Sequence, residues 1–154
     1  MSSRQPEQFD RIPTEYLARA AASIALLTVA VIHIVDLPGT WQGTPLIGYG
    51  YVLLIAAALL GAMAMMTVPS RRVWLLAEVV ASGAILAYVL SRTTGLPTDH
   101  ADVGNWNCAL GIAAISTEGL IVLLATWRSR PDLPLALDET APPPRVDAPV
   151  QHIH

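Results

Sequence analysis

Residues 90–106 read LSRTTGLPTDHADVGNW, a polar segment that interrupts a nearly continuous series of apolar runs. Three apolar runs precede it and one follows it, each close to the roughly 20 residues that a helix needs to cross the hydrocarbon core of a bilayer. The predicted spans are residues 17–35, 46–68, 73–90 and 106–127. The pattern predicts an all-α integral membrane protein of four helices, with its longest connector after the third.

The composition excludes several classes of protein. The 154-residue chain is 53% hydrophobic and 14% charged, with a mean hydropathy of +0.49, as is typical of membrane proteins. A net charge of −3 without a basic stripe argues against nucleic acid as a partner. One cysteine, Cys108, excludes an intramolecular disulfide. The sequence has neither a phosphate-binding glycine loop nor a nucleophile elbow, which favours a non-enzymatic role.

Arginine placement predicts the orientation. All 9 basic residues are arginines, and they lie before residue 20, in the turn at residues 71–72 and after residue 127, except for Arg92. Because basic residues stay on the cytoplasmic side, we expect an up-and-down four-helix bundle in the cell inner membrane with both termini in the cytoplasm. We also expect a flexible cytoplasmic leader, residues 1–16, and a disordered Pro-rich cytoplasmic tail, residues 128–154.

Ionisable groups inside the spans are the first candidates for function, because burying them in a bilayer is costly. Glu118 and Ser82 each lie about nine residues from the cytoplasmic end of a helix, which predicts a polar layer that also includes Thr28. A proton-accepting carboxylate and a hydrogen-bonded structural carboxyl remain alternatives for Glu118. For Glu78, nearer the cytoplasm, we expect an ion pair with one of three arginines: Arg19, Arg72 or Arg128.

A second group of polar residues is expected at the outer end of the spans: His33, Asp36, His100 and Cys108. Imidazole and thiolate ligands suit zinc, copper or haem iron, so a metal or haem site is one interpretation. The spacing matches no dedicated metal motif. The alternative is an Arg92–Asp36 ion pair that ties the third helix to the first connector, without any cofactor.

The order of these features resembles a group of small four-helix integral membrane proteins of high-GC bacteria, which are largely uncharacterised. The similarity rests on His33, on Trp41 and Gly43 in the first connector, and on an SRTxGLP-type outer loop with a structural role for Arg92, Thr93, Gly95 and Pro97. It covers residues 17–127 and implies a fold and a location.

The sequence favours a structural or accessory component of a membrane assembly. Such a protein would contact the lipid bilayer and either a membrane-protein partner or a second copy of itself. Two alternatives remain: a metal- or haem-associated membrane protein that uses the outer cluster, and a small proton-coupled carrier that uses Glu118.

Overall fold

The structure is a computed structural model and describes residues 8–97 and 99–129, with side chains from Thr14 onward. These residues form an all-α fold of four helices: α1 Gln8–Gly43, α2 Pro45–Thr67, α3 Arg71–Thr93 and α4 Ala109–Ser129. Each helix is long and apolar enough to cross a membrane, in agreement with the predicted all-α fold of four apolar helices. Arg128 and Ser129, predicted to begin the disordered tail at residues 128–154, belong to α4 instead. The remainder of that tail and the part of the leader before residue 8 lie outside the described residues.

Helix α1 is longer than predicted at both ends. It begins at Gln8, so residues 8–16 are helical rather than part of a flexible leader. Glu15 contributes to this extension by pairing with Arg19 one turn later, at 3.8 Å, and with Arg128 on α4. These contacts anchor the first turns of α1 to the last turn of α4.

The other end of α1 continues past residue 35, where the first span was predicted to end, and through Pro38 and Gly39, which disfavour a helix interior. Trp41 packs edge-on against Tyr49 of α2, with ring centroids 4.9 Å apart. A Cβ atom on Gly48 would lie 2.5 Å from the Trp41 ring, so only glycine leaves room for the indole there. Packing of Trp41 against α2 holds the extension in place.

Side-chain hydrogen bonds connect the helices in pairs. Ser23 of α1 donates to the Ala62 carbonyl of α2 at 3.1 Å, while Thr126 of α4 donates to Glu78 of α3 at 3.0 Å. Helix α1 packs most extensively on α2, whereas α2 packs least on α3. The four helices therefore form two close pairs, α1–α2 and α3–α4.

The core is concentrated at the end of the molecule that holds the α2–α3 turn, which we call the packed half. Small residues dominate it: Ala18, Ala22, Ala25, Ala58, Ala62, Ala77, Ala81 and Ala125. Leu26, Met65 and Ile121 fill the remaining space and are at most 2% exposed. Small side chains let helix backbones approach closely, which favours association where lipid removes most of the hydrophobic driving force. The opposite end, which includes residues 94–108, is the loop half.

Candidate functional site

A cavity of about 960 Å³ lies in the loop half, between all four helices and residues 96–97 and 99–102. This volume is at the upper end of the usual range for small-molecule pockets. Five residues singled out from the sequence line it: His33, Asp36, His100, Cys108 and Glu118. The structure thus joins the predicted outer cluster to the carboxyl that was expected in a separate, deeper layer.

His33 and Glu118 face each other across the cavity wall. His33 Nε2 lies 4.0 Å from Glu118 Oε1, and the two side chains are 9% and 2% exposed. His33 Nδ1 lies 2.9 Å from the Val29 carbonyl. Because a carbonyl oxygen only accepts, Nδ1 carries a hydrogen and Nε2 is the atom directed at the carboxyl. The separation of Nε2 and the carboxylate is short enough for an ion pair but too long for a hydrogen bond.

The prediction of a polar layer formed by Glu118, Ser82 and Thr28 is wrong. Ser82 is exposed on α3, and Thr28 is exposed on α1, where its hydroxyl donates to Ile24 of the same helix at 2.9 Å. The cause is helix rotation: a count of residues from a helix end gives depth but not the face on which a side chain lies. Glu118 instead points to His33, which lies at similar depth.

Asp36 has a partner that the sequence analysis missed. The Tyr51 hydroxyl donates to Asp36 Oδ2 at 3.0 Å, and the Tyr51 ring packs edge-on against His33 with centroids 4.8 Å apart. The sequence could have indicated this contact, because the connection between α1 and α2 is short and Asp36 and Tyr51 are nearly equidistant from Thr44. Residues placed in this way meet across an antiparallel helical hairpin.

Arg92 is buried, with 7% of its surface exposed, and pairs with Asp102 rather than with Asp36. Its Nη1 lies 2.6 Å from Asp102 Oδ2, and the guanidinium carbon lies 4.9 Å from the Tyr88 ring centroid. The predicted Arg92–Asp36 ion pair is therefore wrong. The reason is the path of the connector: the Gly104 N–H donates to the Arg92 carbonyl at 2.9 Å, which returns the chain to the end of α3.

The SRTxGLP motif shapes this connector. Gly95 has φ +82°, and a Cβ atom there would lie 2.6 Å from the His100 ring. Leu96 and Asp99 exchange two backbone hydrogen bonds of 2.8 and 2.9 Å, with Pro97 in the turn between them. The Thr93 hydroxyl donates to the Val89 carbonyl at 2.8 Å at the end of α3. The motif turns the chain sharply and positions residues 96–97 and 99–102 along the cavity.

Glu78 lies outside the cavity lining and has a different partner from the one expected. Its carboxylate accepts a hydrogen bond from Thr126, whereas Arg19 and Arg128 both pair with Glu15. Because α1 extends through Glu15, which was predicted to lie in the leader, this carboxylate is in reach of both arginines. Glu78 therefore belongs to the α3–α4 contact, where no ion pair to it occurs among the described residues.

The four predicted metal ligands surround one space without converging. Within residues 8–97 and 99–129, no three His, Cys, Asp or Glu side chains are grouped so that they could hold one metal ion. His33 Nε2, the nitrogen that would ligate a metal, faces Glu118 instead. A polar cavity is therefore the better description of the site.

Comparison with protein-family models, curated proteins and solved structures gives no significant match to the chain.

Proposed function

We propose that this chain is a cell-membrane protein that binds a small solute in the loop-half cavity, with proton exchange at the His33–Glu118 pair. It would act as a small proton-coupled carrier. The observation that carries the proposal is the position of the buried pair in the wall of a large cavity that is also lined by Asp36, Tyr51 and Arg92. A buried ionisable pair at such a position is a functional candidate on physical grounds.

Both termini are proposed to lie in the cytoplasm, in an up-and-down bundle. Arg19, Arg71 and Arg128 all lie at the packed end, where Arg71 donates to the Ser129 carbonyl. At the loop end Arg92 is neutralised by Asp102. This distribution supports a cavity on the outer side of the membrane under the positive-inside rule.

Titratable residues line the cavity from all four helices, including Tyr88 of α3, and from the connector before α4, including Cys108. His33 and Asp36 lie on α1, Tyr51 on α2, Arg92 on α3 and Glu118 on α4. Asp99, His100 and Asp102 line the mouth from the connector. Because His33 Nδ1 is held by the Val29 carbonyl, a proton that moves at the floor of the cavity moves at Nε2 or at the Glu118 carboxyl. A solute and a proton would then bind at the same two atoms, so that binding of one changes the affinity for the other.

The accessory-subunit function favoured by the sequence has less specific support. The apolar residues exposed along the helices suit lipid and a partner helix equally, so they do not discriminate between these neighbours. The resemblance to small membrane proteins of high-GC bacteria is compatible with either role. An accessory role alone does not account for the cavity.

Cavity blocking tests the binding function. Gly50 lines the cavity and Gly119 does not, yet a Cβ atom at either position meets nothing within 4 Å. Native protein in lipid nanodiscs is screened by thermal shift against small solutes of positive, negative and zero charge. A solute that stabilises the native protein and the Gly119→Leu control, but not Gly50→Leu, supports the proposal. A flat screen, or equal shifts in all three proteins, contradicts it.

Proton coupling is tested with the same solute in liposomes that contain a trapped pH dye. A solute gradient should drive proton movement in vesicles containing the native protein. Glu118→Gln should abolish this movement, because the amide cannot exchange a proton, whereas the matched control Glu78→Gln should retain it. Unchanged proton movement in Glu118→Gln would exclude the pair from the coupling step.

A further inference from the structure

The cavity lining carries more acid than base. Four carboxyl residues line it but only one arginine, Arg92, and that arginine is already paired with Asp102. Asp99 uses one oxygen to accept the backbone N–H of Ala101 at 3.1 Å, within its own turn. Asp36 and Glu118, on the helices, are left without an arginine partner among the described residues.

Glu118 is the strongest of these acceptors. Its side chain is 2% exposed and accepts no hydrogen bond from any described residue. The nearest polar atom, His33 Nε2, lies at 4.0 Å, beyond hydrogen-bond distance. Leaving a buried carboxyl without a donor is costly, and a ligand that brings N–H groups into the cavity would remove that cost.

Asp36 provides a second acceptor closer to the mouth. It lies three residues after His33 on α1, which is about 4.5 Å further along the helix axis. One of its oxygens, Oδ2, accepts from Tyr51, which also packs against His33. Two carboxyls and the Tyr51 ring thus surround the same part of the cavity, an arrangement that suits a cationic head group.

The remaining helical lining combines the polar residues Thr40, Tyr88 and Ser91 with several apolar side chains. Ile32, Ile47, Leu54, Ala84 and Ala87 face the cavity from α1, α2 and α3. An apolar body attached to the cationic head would remove these side chains from water. A bare inorganic ion would leave most of the volume unfilled.

We propose that the ligand of the cavity is an organic ammonium ion, whose N–H groups donate to Glu118 and Asp36 while an apolar body packs against α2 and α3. The inference rests on the proposed binding function and names its ligand class. An anionic ligand has weaker support, because Arg92 Nη1 lies 2.6 Å from Asp102 Oδ2 and the guanidinium packs on the Tyr88 ring. Of the buried nitrogens of Arg92, only Nε is left without a hydrogen-bond or ion-pair partner among the described residues.

Three probes that differ only in their head group test the ligand class: 4-phenylbutylamine, 4-phenylbutanol and 4-phenylbutyrate. Binding of each to the full chain in nanodiscs is measured by calorimetry near neutral pH. The amine should bind at least about tenfold more tightly than the alcohol, as expected for one charge-assisted hydrogen bond, and the acid most weakly. Glu118→Gln should remove most of the amine's advantage, whereas Glu78→Gln should retain it.

Asp36→Asn is the second variant and should reduce the advantage even if Glu118→Gln does not fold. Equal affinities for the three probes, or tighter binding of the acid, would overturn the ligand class. If the alcohol or acid binds best and Gly50→Leu removes that binding, the cavity is a binding site and only the cation proposal is wrong. If no probe binds and the solute screen is also flat, the ligand class and the proposed function both fail.

Discussion

The packed half and the loop half are built from the same four helices but differ in what fills the space between them. In the packed half, alanines bring the backbones together and polar groups find short-range partners, such as Ser23 with Ala62 and Thr126 with Glu78. In the loop half the helices enclose a cavity, and Glu118 is buried without a hydrogen bond from any other described residue. The contrast separates residues that hold the helices together from residues that are free to meet a ligand.

The largest expected effect comes from the same substitution made in each half. Ala58 is 0% exposed in the packed half, whereas Ala84 lines the cavity. Ala58→Leu should lower the free energy of unfolding by about 3 kcal/mol, since close-packed backbones must separate. Ala84→Leu should change it by less than about 0.5 kcal/mol, because the cavity has room. Melting of both variants in one detergent checks this difference, and equal losses would contradict the distinction between the halves.

A smaller effect is expected at the two glycines of the connector with positive φ. Gly95 and Gly104 both have φ +82°, but a Cβ atom clashes with His100 only at Gly95. Gly104→Ala should cost about 1 kcal/mol from backbone strain, and Gly95→Ala about 2 kcal/mol. Adding His100→Ala should recover part of this difference, because the contact of the new Cβ atom with the Asp99 carbonyl oxygen, at 3.0 Å, remains. Thermal melting of the single and double variants gives these values, and equal single costs would remove the proposed clash.

The smallest effect concerns the ion pair at the cavity mouth. A double-mutant cycle between Arg92→Ala and Asp102→Ala should give a coupling of about 0.5 kcal/mol, because the Asp102 carboxylate is screened by solvent. The same cycle with Asp36→Ala should give no coupling. Urea or detergent unfolding of the four proteins in each cycle measures both. Coupling to Asp36 instead of Asp102 would restore the pairing that the sequence predicted.

The number and approximate position of the helices followed from apolar run length, but the site did not. His33 was placed near the outer end of α1, because Pro38 and Gly39 were expected to end the helix. The helix continues to Gly43, which places His33 about 15 Å below that end at the usual helical rise. Glu118 lies nine residues after the start of α4 at Ala109, at nearly the same depth. Because α1 ends at Gly43 rather than at residue 35, His33 lies at the level of Glu118 and not at the outer end of the helix.

The partner of Arg92 could not be predicted for another reason. The connector returns to α3 through Gly95 and Gly104 in the left-handed region and through a backbone bond from Gly104 to Arg92. Sequence indicates that glycine permits such conformations but not that both positions adopt them. The choice between Asp36 and Asp102 depends on those backbone angles.

The single-residue junction at Thr44 has a mechanical consequence. Its backbone N–H donates to the Thr40 carbonyl, and its carbonyl accepts from the N–H groups of Ile47 and Gly48. These hydrogen bonds fix the angle between α1 and α2. Helices α3 and α4 are joined by fifteen residues instead, 94–108, and α2 packs least on α3. We therefore expect the cavity to change its width by movement at the α2–α3 contact, while α1 and α2 move together as one rigid unit.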